Sequence, residues 1–178
     1  MGTTSRTNRA RGRQARLAGT GGVCNLRGVH VPMDVTELAA RESIRDLVAR
    51  YAHAADRGRF DEVATLFTER GSLHLPDGRR LVGRDEIRAF LTGTGTEIRA
   101  ATTRPFVRHH VSSHRIVLDE DGTATGFAYF LVVSERGPDH WGRYADRYTE
   151  TDGSWLFAER RVRLDGFAPG SVAAERRR

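Results

Sequence analysis

Three histidines lie close together in the segment RHHVSSHRI, where they occupy His109, His110 and His114. The alternating pattern of residues 106–118 predicts a β-strand, in which neighbouring side chains point to opposite faces. His109 and His110 would then diverge, while His110 and His114 would share a face but stand roughly 13 Å apart along it. A tetrahedral zinc site needs converging ligands, so this spacing predicts no metal centre. It leaves a catalytic base or a polar, solvent-exposed strand.

The two faces of this predicted strand are both mixed in polarity. The even-numbered residues from His110 to Leu118 form one side, and the odd-numbered residues from His109 to Val117 form the other. Two interpretations stay open: the first half of the strand lines a cavity that holds something polar, or the strand is partly exposed at a sheet edge.

A carboxylate continues the apolar stripe of the first predicted helix. Asp56 lies four residues beyond Ala52 and eight beyond Val48, so it falls on the same helical face. Burying a carboxylate is costly unless it is paired. The pattern alone favours solvent exposure at a frayed helix end, and it favours a core position for Tyr51 on the same stripe.

An arginine interrupts an apolar row near the end of the chain. In the predicted strand WLFAERRVRL, Arg160 alternates with Leu156, Ala158, Val162 and Leu164. A buried arginine requires an anion or a hydrogen-bonded partner. An internal salt bridge, for instance with Asp146, is the structural alternative to a role in binding an anion.

The remaining pattern predicts an α+β fold. A helix capped by Thr36 ends at Gly58, and a short helix FDEVATLF, a hairpin at 71–82 and a helix RDEIRAFL at 84–91 follow. A Gly/Thr-rich loop precedes four long strands joined by tight turns. The predicted strands cover 106–118, 123–135, 140–150 and 154–164. Such a run predicts an antiparallel meander, with the three helices on one face of a curved sheet.

The excess positive charge lies wholly at the start of the chain. Residues 1–32 hold six arginines and no acidic residue, whereas the rest balances 23 arginines against 23 acids. The first segment lacks apolar periodicity, so we expect a disordered, dispensable basic extension rather than a nucleic-acid-binding arm.

Residues 33–168 form the expected single domain, and 169–178 a flexible tail. No apolar run approaches membrane-spanning length, and the single cysteine fits a reducing cytoplasm.

Four segments together resemble the SnoaL-like branch of the nuclear transport factor 2-like superfamily. They are IRDLVARYAHAADRGRFDEVATLF, HLPDGRRLVGRDEIRAFL, RHHVSSHRI and DRYTETDGSWLFAERRV. The resemblance covers about Val35 to Phe167. It implies a cone-shaped α+β barrel whose helices pack on the concave face of a curved, mostly antiparallel sheet. The branch includes scytalone dehydratase, bile-acid dehydratases, a dehydrochlorinase and polyketide cyclases.

The resemblance also implies catalytic residues. Matching positions make His110 the base, Asp56 its carboxylate partner, Tyr51 a hydrogen-bond donor, and Arg160 the cation on the last strand. A second histidine used by scytalone dehydratase has no clear match, although His74 or His140 would reach the mouth of the pocket. The expected substrate-binding residues are mostly aromatic: Phe67, Phe90, His114, Phe127, Tyr129, Trp141 and Tyr144.

The implied activity is that of a cofactor-independent acid–base lyase, dehydratase-like, acting on a small, mostly apolar ring-containing molecule. The alternatives are an isomerase or cyclase of polyketide or steroid-like substrates, or a non-catalytic module for ligand binding or oligomerisation. An exposed sheet face with Phe130 and Trp141 would favour a homodimer or homotrimer. The deciding observation is whether Asp56 and His110 meet in one pocket.

Overall fold

The computed structural model describes Met1, residues 33–101 and residues 106–175. Apart from Met1, the predicted N-terminal extension lies outside the described residues. The elements are α1 (Val35–Asp56), α2 (Phe60–Thr65), β1 (Phe67–His74), β2 (Arg80–Val82), α3 (Arg84–Ala101), β3 (Val107–Leu118), β4 (Thr123–Ser134), β5 (Gly137–Thr151), β6 (Ser154–Phe167) and α4 (Val172–Glu175). This order confirms the predicted α+β class and the four consecutive long strands.

The six strands form one open, mixed sheet in the order β2-β1-β6-β5-β4-β3. Neighbouring strands are antiparallel except β1 and β6, which run parallel. The inner face of the sheet packs against α1, and the buried apolar side chains of both meet in the core. The last strand in the order, β3, is an edge strand, so α1 lies beside backbone groups that have no further strand to pair with.

Two hydrogen bonds with β3 tie α1 to this edge. Near its start, Arg41 Nη1 donates to the carbonyl of Ile116 at 2.5 Å. At its end, the carboxylate of Asp56 accepts the backbone N–H of His109 at 3.2 and 3.3 Å. The end of α1 is therefore held over one particular point of β3.

Asp34, rather than the predicted Thr36, caps the start of α1. Its Oδ1 accepts the backbone N–H of Glu37 at 2.7 Å, which satisfies one of the free donors in the first turn. Gly58 follows the end of the helix as predicted, with φ +69° in the left-handed region that glycine adopts readily. Asp56 is consequently the last residue of a regular helix and not part of a frayed end.

The third helix is longer than predicted, because the Gly/Thr-rich segment after residue 91 continues it to Ala101. Gly95 accounts for part of this extension of α3. A Cβ at Gly95 would lie 2.5 Å from the ring of Phe60, so the absence of a side chain lets α3 pack closely on α2. Tertiary packing here outweighs the low helix propensity of glycine. No helix within the described residues is long and apolar enough to cross a membrane.

Part of the predicted flexible tail is ordered against β5. Ser171 is buried, and its Oγ donates to Asp139 Oδ1 at 2.7 Å. The backbone N–H of Ala168 donates to the carbonyl of Asp139, also at 2.7 Å. Residues 172–175 of this predicted tail then form α4.

Candidate active site

A β-bulge in β3 decides which histidines face α1. Ser112 pairs with Tyr129 and Arg115 with Phe127, so β3 has one extra residue at this point. Ser113 has φ +52°, a left-handed backbone that breaks the alternation of the strand. After the bulge, the even-numbered residues His114 and Ile116 lie on the inner face of the sheet. Before the bulge, the odd-numbered residues of β3 lie on that face.

The bulge brings His109, not His110, to Asp56. His109 Nδ1 lies 2.7 Å from Asp56 Oδ1, and the side chains are 21% and 7% exposed respectively. His110 is exposed on the outer face. The Asp56–His110 contact that the resemblance implied is thus replaced by an Asp56–His109 contact, because the extra residue in β3 turns His109 instead of His110 towards α1.

The carboxylate of Asp56 holds His109 at two points. It accepts the backbone N–H as well as the ring nitrogen, so the imidazole is fixed relative to the end of α1. With Nδ1 directed at the carboxylate, Nε2 is the ring atom that can meet a substrate. A carboxylate in this position fixes the tautomer and stabilises the imidazolium that forms on proton uptake.

Arg160 is sealed in the core instead of facing a ligand. Its side chain has no exposed surface, and its Nε and Nη2 donate to the two oxygens of Asp146 at 3.0 and 2.7 Å. Burial disfavours the cation, but Asp146 outweighs burial and holds the Arg160 pKa above its ordinary value. This is the internal salt bridge that the sequence left open as the alternative.

Three aromatic rings enclose the guanidinium of Arg160. Its central carbon lies 4.2 Å from the ring centroid of Tyr51, 4.1 Å from that of Tyr144 and 4.3 Å from that of Phe157. Its Nη1 has no hydrogen-bond acceptor in the part of the chain that the structure describes, so the electron-rich ring faces compensate for the missing contact. Tyr51 is therefore a core residue, and burial raises the pKa of its hydroxyl although Arg160 opposes the rise.

His114 belongs to the same internal network. Its Nε2 lies 3.1 Å from the hydroxyl of Tyr148, which donates to Asp146 Oδ2 at 2.9 Å. Burial lowers the pKa of His114, and the charge of Asp146 opposes this effect. His114 thus extends the Arg160–Asp146 network towards β3, and the structure does not bring it together with Asp56.

The predicted aromatic substrate walls fall into three groups. Phe127, Tyr129 and Trp141 are 38%, 50% and 41% exposed and lie on the outer face of the sheet, away from Asp56. Phe67 is fully buried in the core, and Phe90 lies on α3 with Arg79 over its ring at 5.0 Å. Tyr144 alone faces inward beside the site, where burial raises the pKa of its hydroxyl.

Phe130, expected on the exposed face, is in fact buried on the inner face. Its ring stacks on Tyr144 with centroids 4.5 Å apart. It forms a small apolar cluster with Val132 and Tyr144, next to the row that contains His109. Of this inner apolar cluster, only Tyr144 was among the predicted substrate-binding residues.

A second carboxylate–imidazole pair lies on β5. His140 Nδ1 is 2.7 Å from Asp139 Oδ1, and the side chains are 20% and 5% exposed. Burial lowers the pKa of His140, although the hydrogen bond to Asp139 and the charge of its carboxylate oppose this effect. Asp139 and His140 are adjacent in the sequence, which was the only sign of this pair. The sequence analysis did not predict their contact, because successive residues of a regular strand point to opposite faces.

Within residues 33–101 and 106–175, no group of three His, Cys, Asp or Glu side chains is arranged to hold a metal ion. The described geometry instead shows isolated carboxylate–imidazole pairs.

A family model described as a SnoaL-like domain matches residues 36–161. The chain belongs to this SnoaL-like family. The match confirms the resemblance, and it includes Asp56 and both histidine pairs but ends before Ser171 and α4. A comparison with curated protein sequences finds no match.

Solved structures place the SnoaL-like domain among proteins with the same fold. A candidate scytalone dehydratase from Novosphingobium aromaticivorans is 25% identical, with a TM-score of 0.67 over 77% of this chain and 91% of the other. A nuclear transport factor 2-like protein with a cystatin-like fold from the same species is 26% identical, with a TM-score of 0.63 over 80% and 96%. A protein from Catenulispora acidiphila in complex with S-DNPA is 28% identical, with a TM-score of 0.63 over 72% and 95%. The cone-shaped α+β expectation agrees with these folds.

Proposed function

We propose that this protein is a cofactor-independent, dehydratase-like acid–base lyase that acts on a small, mostly apolar ring-containing molecule. The observation that carries the proposal is the 2.7 Å contact between His109 Nδ1 and Asp56 Oδ1. A partly exposed imidazole beside a nearly buried carboxylate is suited to proton transfer near neutral pH.

The chemistry follows from the orientation of the His109 ring. Nε2 of neutral His109 takes a proton from the carbon next to the one that bears the leaving hydroxyl. The C–H electron pair forms the double bond as the C–O bond breaks and its electron pair leaves with the hydroxyl oxygen, while Asp56 stabilises the imidazolium. The imidazolium then returns the proton to the departing hydroxyl, which releases water and regenerates neutral His109.

The comparisons support this proposal at the level of the family. The SnoaL-like match spans most of the chain, and one similar structure is a candidate scytalone dehydratase. Another similar protein binds S-DNPA, which supports a ligand-binding role for the fold. Apolar side chains beside His109, including Val111, Val132 and Phe130, fit a largely apolar substrate.

The test substrate is the α-tetralone that carries a hydroxyl group on the carbon β to its carbonyl. Loss of water from this ketone, followed by tautomerisation, gives the fluorescent product α-naphthol. Wild-type protein is expected to form α-naphthol, and His109→Asn to lose about 10²- to 10⁴-fold in kcat. His110→Asn is the matched control, since it changes the adjacent but outward-facing histidine and should retain full activity. Equal activity in His109→Asn and wild type would contradict the proposal.

The products also separate the other possible reactions. An isomerase or cyclase with the same base would give a product of unchanged mass, and in D2O it would exchange the proton next to the carbonyl. A non-catalytic binding module would do neither while still binding the ring compound. If every member of a panel of β-hydroxy ring ketones is isomerised or cyclised, or is bound without any reaction, that activity would replace elimination as the proposed function.

We further propose that the outer face of the sheet joins two copies of the chain. Phe127 and Tyr129 pack edge to face with ring centroids 5.4 Å apart, and both are substantially exposed, as is Trp141. Such a patch is costly to leave in water. Tyr129→Glu should convert a homodimer into a monomer in sedimentation analysis, with Arg147→Glu as an outer-face control. A monomeric wild-type protein would exclude this assembly.

A further inference from the structure

Two histidines on different strands lie in one row across the inner face of the sheet. His109 on β3 pairs with Val132 on β4, and Val132 pairs in turn with His140 on β5. Directly paired residues project to the same face, and adjacent strands lie about 4.8 Å apart, so the two histidine Cα atoms are about 10 Å apart. Each side chain keeps about a fifth of its surface exposed. Val132 between them is buried, so the partly exposed edges of the two imidazole rings mark the two ends of this row.

A second bulge permits the Asp139–His140 contact. Val132 pairs with His140 and Val133 with Pro138, so Asp139 is the extra residue on β5. The bulge lets the carboxylate of Asp139 reach the ring of the next residue, which a regular strand would prevent. His109 and His140 are thus each paired with a carboxylate, and each of their strands carries a bulge.

The C-terminal segment fixes Asp139 in this position. Ser171 Oγ and His140 Nδ1 both contact Asp139 Oδ1 at 2.7 Å, and Ser171 Oγ also accepts the N–H of Ala174 at 3.2 Å. The carboxylate lies between serine and histidine, so this is not a nucleophilic triad, in which the histidine must contact the serine. The segment positions the imidazole instead of activating the serine.

The hydrogen-bond pattern fixes what His140 offers to a ligand. With Nδ1–H donating to Asp139, neutral His140 presents the lone pair of Nε2 as an acceptor. The ring is flanked by Phe130 and Phe167, with centroids 6.1 and 6.3 Å away. An acceptor between apolar rings selects a ligand with a hydroxyl donor at that point and apolar surface around it.

We propose that His140 determines substrate specificity by accepting a hydrogen bond from a hydroxyl group on the ring of the substrate. This inference rests on the proposed function in placing a ring-containing molecule on the inner face, where His109 takes the proton at one end. His140 then holds a phenolic or enolic hydroxyl at the other end. Asp139 and Ser171 are positioning residues, and Ser171 lies beyond the part of the chain that matches the family model.

The test compares binding of two probes, α-naphthol and its methyl ether, which share a ring system but differ in the hydroxyl donor. Fluorescence titration of the wild-type protein should give about fivefold tighter binding of α-naphthol, the value of one neutral hydrogen bond. His140→Phe should abolish this preference while still binding the ether. His109→Phe and the outward-facing control His110→Phe should retain it. Since binding does not require turnover, the result is independent of whether elimination occurs.

A second variant covers the case in which His140→Phe does not fold. Asp139→Asn keeps the imidazole but offers an amide N–H to Nδ1, so the proton moves to Nε2 and the acceptor is lost. Nitrogen-15 NMR of the His140 ring should show this change of tautomer, and the preference for α-naphthol should disappear with it. The proposal is overturned if wild type shows no preference, if His140→Phe retains it, or if Asp139→Asn retains it with the His140 proton on Nε2. Loss in His109→Phe alone would place the hydroxyl at the other histidine.

Discussion

Asp146 and Asp56 each pair with a basic side chain, and their surroundings give them opposite roles. Asp146 and Arg160 are completely enclosed, with aromatic rings on the faces of the guanidinium. Asp56 and His109 lie where α1 ends over the edge strand, and the imidazole stays partly exposed. The enclosed pair cannot meet a substrate without opening the core, whereas the edge pair can. A charged pair in an apolar row is therefore not in itself a sign of chemistry.

The largest effect is expected from breaking the enclosed pair. Arg160→Met leaves Asp146 buried without its cation, which should lower the free energy of unfolding by about 3–5 kcal/mol in urea titrations. The double variant Arg160→Met/Asp146→Leu removes both charges and should recover most of that loss. A small effect of the single variant would mean that Arg160 is held less tightly than its two hydrogen bonds to Asp146 indicate.

The edge pair should show the opposite balance between activity and stability. Asp56→Asn keeps the size of the side chain but removes the negative charge that stabilises the imidazolium and replaces one acceptor oxygen with an N–H donor, so kcat should fall by about 10²-fold or more. The free energy of unfolding should change by only about 1 kcal/mol, because one hydrogen-bonded contact at a partly exposed site is altered. If Asp56→Asn lowered the free energy of unfolding as much as Arg160→Met, the Asp56–His109 pair would be a structural pair like Asp146–Arg160.

Acidification offers a test of two further histidines. Burial lowers the pKa of both His114 and His140, so the folded protein resists protonating them. The unfolded chain, in which histidine has its ordinary pKa of about 6.5, binds more protons as the pH falls through that value. Stability should therefore decline as the pH falls below about 6.5. His114→Gln should show a shallower decline in urea midpoints than wild type, and an identical slope would contradict the assignment.

Most of the fold was predictable because helices and strands have different apolar periods. The stripe of α1 and the four long strands follow directly from the 3.6- and 2-residue patterns. The extension of α3 was not predictable, because it depends on the contact between Gly95 and Phe60, which are far apart in sequence. Local propensity carries no information about such a contact.

The site was predictable in its residue types but not in the identity of the histidine. Asp56 was placed on the correct helical face, and the Asp146 partner of Arg160 was foreseen as an alternative. The choice between His109 and His110 depends on the single extra residue at Ser113. Bulges have weak sequence signals, and a one-residue offset exchanges the two faces of a strand.

The smallest expected effect concerns the bulge that aims His109. Ser113 adopts φ +52°, which costs a non-glycine residue more than it costs glycine. Ser113→Gly should therefore leave stability unchanged or raise it by up to about 1 kcal/mol, with elimination activity retained. Ser112→Gly is the matched control: glycine at a regular strand position should instead lower stability by about 0.5–1 kcal/mol. If Ser113→Gly were the more damaging change, the left-handed backbone would not be the device that turns His109 towards Asp56, and the contrast between the edge pair and the enclosed pair would need another cause.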